Sequence, residues 1–153
     1  MIKRTCCVTG HRDIPENKRA YVEAELRKEI LSAIEDGYTR FISGFAEGAD
    51  LTFAAIVAEL KAQGHSLFLE AAIPHASRME NKNQLFQKLI PTCDDVKVLC
   101  GSYSRGCYFV RNRYMVDESS RVIAVYNGQK SGGTFFTMQY ARKQGRTFRI
   151  IKI

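Results

Sequence analysis

Four short segments carry the residues best able to do chemistry, and each directly follows a strand pattern or belongs to the opening of a helix pattern. In Thr9-Gly10-His11-Arg12 the glycine permits a tight turn, and His11 and Arg12 supply donors for an oxyanion. Ser43-Gly44-Phe45-Ala46-Glu47-Gly48-Ala49-Asp50 sets two glycines four apart at a helix opening, where free N–H groups and the positive end of the helix dipole favour an anion. Within it Asp50 reads as the N-cap and Glu47 as a carboxylate suited to ribose hydroxyls. Arg111-Asn112-Arg113 puts two arginines two apart on a helix, so they diverge. One can clamp a phosphate bidentately while the other pairs with Asp117 or Glu118. Ser131-Gly132-Gly133-Thr134 lets a phosphate approach the main chain and adds two hydroxyl donors, which makes it the strongest anion site in the chain.

Several common chemistries are poorly supported by the sequence. Lys130 precedes the glycines of the last segment, where a phosphate-binding loop of the Walker type needs Gly-Lys-Ser/Thr after a longer loop. Nor does any segment match the Gly-x-Gly-x-x-Gly of dinucleotide folds. His65 precedes a strand and His75 follows Pro74, and no cysteine follows a strand as a nucleophile elbow requires, so a Cys-His hydrolase is poorly supported. Cys93, Cys100 and Cys107 lack the short Cys-x-x-Cys spacing of a metal site. Cys6 and Cys7 are adjacent, which on a strand sends them to opposite faces; all five thiols are expected reduced and mostly buried.

The elements that must position these segments alternate. Residues 4–9 read as a strand, and Asp13-Ile14-Pro15-Glu16 as a capping box opening a helix with Val22, Leu26, Ile30, Ala33 and Ile34 on one face and Gly37 at its stop. Strands are expected at 39–43, 66–73 (broken by Pro74), 96–100, 121–126 and 147–153. Helices are expected at 50–63, 78–90 (with Leu85, Phe86 and Leu89 as its apolar stripe), 108–118 and 134–143. Alternating strand and helix predicts a single Rossmann-like α/β domain over residues 1–153. Its sheet would be mostly parallel, of about six strands, with helices on both faces. Ligands of such sheets bind beyond the carboxyl ends of the strands, where strand order reverses, and this is where all four segments fall.

Composition agrees with a globular chain. Of 153 residues, 45% are hydrophobic and 25% charged, which excludes a disordered or fibrous protein. No stretch reaches the roughly 18 apolar residues of a membrane span, and Met1-Ile2-Lys3-Arg4-Thr5 lacks the apolar core of a leader, so a cytoplasmic location is expected. The net charge of +7 is uneven: residues 101–153 hold 10 Lys and Arg against 2 Asp and Glu. Such a basic third points to anionic partners.

Taken together and in this order, the segments resemble the Smf/DprA–LOG (SLOG) superfamily of Rossmann-like proteins, and within it the short, stand-alone YpsA-like branch, over residues 8–151. VTGHR at 8–12 is similar to the first strand–helix loop of the superfamily. SGFAEGAD at 43–50 resembles the Ser-Gly-x-Ala-x-Gly-x-Asp signature of the DNA-processing protein A branch, RNR at 111–113 its Arg-Asn-Arg, and SGGT at 131–134 its Ser-Gly-rich loop. The resemblance implies a pocket for a nucleotide or nucleotide-derived ligand. Gly10, His11, Arg12, Ser43, Gly44, Glu47, Gly48, Asp50, Arg111, Asn112, Arg113, Ser131, Gly132, Gly133 and Thr134 are its candidate contacts.

Binding or sensing of such a ligand is therefore the first expectation. The LOG branch cleaves nucleoside monophosphates, using a carboxylate three residues after a threonine. Here that position is Thr137, and the Arg-Lys pair of that branch would fall on Arg111-Asn112, so hydrolysis would have to rest on Glu47. The DNA-processing branch binds single-stranded DNA, for which the basic third and Tyr103, Tyr108 and Phe109 are available. No metal, membrane or firm cofactor is implied beyond a nucleotide or NAD-derived ligand, and the resemblance implies a homodimer.

Overall fold

The computed structural model describes residues 4–153. Met1, Ile2 and Lys3, part of the segment read above for leader character, lie outside the described residues. Six strands alternate with five α-helices: β1 (Arg4–Gly10), α1 (Arg19–Glu35), β2 (Tyr38–Ser43), α2 (Ala49–Ala62), β3 (Phe68–His75), α3 (Gln84–Leu89), β4 (Asp95–Cys100), α4 (Cys107–Asp117), β5 (Arg121–Tyr126), α5 (Gly132–Lys143) and β6 (Thr147–Lys152). The sheet order is β4-β3-β2-β1-β5-β6, and every neighbouring pair is parallel. The expected "mostly parallel" sheet is thus parallel throughout the described residues, a Rossmann-like α/β architecture.

Strand pleating explains the two layers. Cys6 and Val8 of β1 point to the face covered by Val22, Leu26 and Ile30 of α1, Phe53 of α2 and Phe86 of α3. Cys7, Ile42, Ala72 and Val122 point to the other face, against Met115 and Val116 of α4 and Ala141 of α5. The chain steps outward from β1 to β4, then returns through α4 to lay β5 on the free side of β1. Strand order therefore reverses between β1 and β5, whose paired ends are Gly10 and Val125.

Three local expectations are corrected. The helix expected over 78–90 is instead a 3₁₀ turn at Ala76–Glu80, a short loop and α3, because the Asn83 side chain accepts from the Phe86 N–H at 3.1 Å and starts a new helix there. Phe86 and Leu89 are buried, while Leu85 faces solvent. The capping box at Asp13–Glu16 is not made: Pro15 is extended, a 3₁₀ turn at Glu16–Lys18 follows, and α1 begins at Arg19 without a side-chain cap. Pro74 does not end β3, which continues to pair His75 with Cys100 of β4. The pairing with β2 has stopped by then, at Ser43 with Ala71, so no ladder bond on that side needs the missing N–H.

Candidate functional site

At the reversal point lies a cavity of about 390 Å³, with walls from four elements. The end of β1 contributes Val8, Thr9 and Gly10, with His11 and Arg12 beyond it. The opening of α2 contributes Ala46 and Asp50, and α4 contributes Tyr108, Arg111, Asn112 and Met115. Gln129 and Ser131–Thr134 close the remaining side. The first turn of α5 opens at Gly132 in a left-handed conformation (φ 90°) that glycine adopts without strain. Ser131 makes no side-chain cap there, so the free N–H groups of that turn remain available beside the cavity. Side-chain atoms at Gly132 and Gly133 would meet only open space.

The β1 loop is held in place from both sides. The Asn127 N–H, just after β5, donates to His11 Nε2 at 3.1 Å, and the His11 ring stacks on Tyr126 with centroids 6.0 Å apart. From the other side the Ala49 N–H donates to the His11 carbonyl at 3.3 Å. Gly48 (φ 80°) caps α2 so close to this loop that a Cβ there would lie 2.5 Å from the carbonyl oxygens of His11 and Arg12. The preceding turn is unusual as well. Phe45 has φ 55°, rare for an aromatic residue, and its ring is buried edge-on against Phe86 at 5.7 Å.

Two arginines converge on one ring. The guanidinium carbon of Arg12 lies 5.6 Å and that of Arg111 5.5 Å from the centroid of Tyr108, a ring also met edge-on by His75. Arg12 is exposed, whereas Arg111 is 6% exposed and its Nη1 donates to the Gly44 carbonyl at 2.7 Å. Its Nε donates to Asn112 Oδ1 at 2.8 Å, so two bonds hold the guanidinium in place where Arg111 lines the cavity.

A family model described as the YspA SLOG family matches residues 6–152. The chain belongs to this family. Among curated relatives, a UPF0398 protein of Bacillus cereus strain B4264 is 23% identical over 130 residues, covering 81% of this chain and 71% of that protein. One from Bacillus pumilus is 25% identical over 127 residues, covering 79% and 68%. Among solved structures, DNA processing protein A from Helicobacter pylori, reported for its single-stranded DNA binding mode, superposes with a TM-score of 0.68 at 14% identity. That match takes in 96% of this chain but spans only 64% of the other. The structure of TM1055 gives 0.61 at 13% identity, covering 95% of this chain and 72% of that one. Likeness at such identities establishes the shared fold.

In this SLOG chain ten of the expected contacts line the cavity: Gly10, His11, Arg12, Asp50, Arg111, Asn112, Ser131, Gly132, Gly133 and Thr134. The other five do not. Ser43 is buried, its hydroxyl donating to the Asp50 carbonyl at 2.8 Å, and Gly44 lies behind the wall as the acceptor for Arg111. Gly48 packs on the β1 loop, and Glu47 lines a neighbouring hollow on the outer side of Arg12, where Asn83 Nδ2 reaches its Oε1 at 3.4 Å. Arg113 turns away onto the ring of Tyr140 at 5.5 Å and forms no ion pair with Asp117 or Glu118. Thr137 is buried, with its hydroxyl donating back to the Gly133 carbonyl at 2.7 Å.

Asp50 is not the N-cap of α2; that position is Gly48, and Asp50 sits one turn-step inside the helix. Its Oδ2 accepts from the Ala46 N–H at 3.4 Å, and burial pushes its pKa up to about 6 against the opposing pull of Arg111. Burial also lowers His11 below its ordinary 6.5, against a smaller opposing effect of the Asn127 side chain. Tyr108 is the residue that sequence reading undervalued, as a stacking candidate only; its place between two arginines and a histidine depends on how α4 packs on the β1 loop. Thr9 and Gln129 stood within or beside named segments, and adjacency was the available signal.

Proposed function

We propose that this chain binds a nucleotide-derived small ligand, with a phosphate held at Ser131–Thr134 and neutralised by Arg12 and Arg111. The observation that carries the reading is the convergence, in one cavity at the strand-reversal point, of an uncapped helix N-terminus with two arginines stacked on one tyrosine. Binding without turnover is favoured because Glu47, the only carboxylate proposed for glycosidic chemistry, lines a different hollow, and Thr137 stands where a LOG-type carboxylate would be. The proposal includes a single folding unit over residues 1–153, working in the cytoplasm as a homodimer, for which the family resemblance is the support.

A thermal-shift panel of AMP, ADP, cyclic nucleotides, NAD, ADP-ribose and ribose 5-phosphate tests it. A ligand at 100 times its Kd adds about 2.7 kcal/mol. For a domain of this size that raises the midpoint by roughly 5–10 °C. Free base released from the same mixture would reassign the site to an N-glycosidase or phosphoribohydrolase. Single-stranded nucleic acid is the second reading, supported by the fold shared with the Helicobacter pylori protein and by the basic final third. Its mark is an oligo-dT affinity that falls steeply with salt as counterions are released.

A further inference from the structure

A second concave surface, of about 650 Å³, runs between the outer faces of α4 and α5, away from the β1 loop. Its apolar walls are Phe109, 51% exposed, and Phe136, 48% exposed, one from each helix, with Tyr140 between the helices farther along. Arg113, Arg142 and Lys143 stand on the same groove, and no aspartate or glutamate lines it. Among the described residues none of these three cations forms an ion pair, so their charge is not balanced within the groove. Large exposed aromatic side chains rimmed by cations have the make-up of an interaction surface rather than of one that meets only water.

The groove is also ordered. The Arg113 guanidinium lies over the Tyr140 ring at 5.5 Å, and the Tyr140 hydroxyl donates to Asp117 Oδ1 at 2.6 Å. The Arg142 guanidinium lies over Phe148 at 5.7 Å. Stacking fixes the planes of both cations while leaving their N–H donors unspent.

We propose that this groove docks an acidic, amphipathic helical segment of a partner protein, with apolar anchors seated between Phe109 and Phe136 and carboxylates meeting Arg113, Arg142 and Lys143. Charge selects this occupant. A second copy placed face to face would set the same three cations against themselves. A single strand of nucleic acid would stack its bases on open aromatic faces, and of the groove's three rings that of Tyr140 is already covered by Arg113, which leaves it only the two flanking phenylalanines. A helix carrying apolar residues at i, i+3, i+4 and i+7 fits two flanking phenylalanines and leaves its acidic face for the cations.

The test uses the full chain and a fluorescent synthetic peptide of about 16 residues, with Leu and Phe at those positions and Glu elsewhere. Saturable binding is expected, weakened at least about tenfold in Phe136→Ser and in the double variant Arg142→Glu/Lys143→Glu. The double variant should instead bind a peptide in which every Glu is replaced by Lys, which separates lost complementarity from lost folding. Absence of saturable binding to the acidic peptide overturns the proposal. So does displacement of that peptide by oligo-dT at equal or lower concentration, which assigns the groove to nucleic acid. A fall in molecular mass for Phe136→Ser by light scattering overturns it in favour of a second copy.

Discussion

Arg111 and Asp50 face each other across a gap that only a glycine can leave. A Cβ added at Gly44 would stand 2.6 Å from Arg111 Nη1 and 2.8 Å from Asp50 Oδ2. Both atoms belong to buried side chains that cannot swing away without breaking the bonds to the Gly44 carbonyl and the Ala46 N–H. Gly44→Ala is therefore expected to cost about 1–3 kcal/mol by overpacking. A urea titration measures it, and an unchanged midpoint would mean the loop yields freely.

Asp50 sets a pH dependence of stability. Its carboxyl rises from 3.8 in the unfolded chain to about 6 in the fold, so the folded state binds the proton more tightly. The contribution is fully present below pH 3.8 and is lost as pH rises through about 6. By pH 7 the loss amounts to roughly 3 kcal/mol. In Asp50→Asn that part of the slope between pH 4 and 7 should vanish in a pH series of denaturant curves. An identical slope in the variant would place Asp50 in water.

Arg12 and Arg113 should separate by ligand. Arg12→Ala removes an exposed cavity cation at little structural cost and should weaken a phosphate-bearing ligand about tenfold or more, the range of a charge-assisted hydrogen bond. Arg113→Ala, on the outer groove, should leave that affinity unchanged. Calorimetric titration of both variants with the nucleotide that shifts the wild type decides it. Equal losses would mean general electrostatic attraction rather than a seat for phosphate.

His11 should be neutral at pH 7 with its proton on Nδ1, because Nε2 accepts from the Asn127 N–H. Its pKa lies below 6.5, so the stabilisation it contributes is present above 6.5 and is lost as pH falls through the folded value. Nitrogen chemical shifts of the ring report both tautomer and titration. A His11 that titrates above 6.5 would contradict the contact with Asn127.

What could be read from the residues was whatever depends on neighbours in the chain. RVIAVY at 121–126 is continuous β-former sequence, and β5 spans those six residues because both its faces are covered. The α1 stripe Val22, Leu26, Ile30 and Ala33 is buried as its spacing requires. What escaped depends on partners far along the chain. Pro74 is tolerated in β3 because β2 has already ended beside it. Glu47 and Asp50 are three residues apart in one loop, yet only Asp50 faces the cavity, because the left-handed turn at Gly48 lies between them and α2 begins immediately after it. The convergence of Arg12 and Arg111 on Tyr108 joins the first loop to the fourth helix, and no local pattern announces it.

Cys6 and Cys7, consecutive on the central strand, belong to different halves of the interior, one under α1–α3 and the other under α4 and α5. Both thiols are free and sealed, and burial raises both, Cys7 to about 12, so neither meets reagent while the protein stays closed. They form a matched pair of silent reporters at a single point in the chain. If the two layers peel from the sheet separately, alkylation will mark one cysteine ahead of its neighbour; if they open together, the two will be marked at one rate.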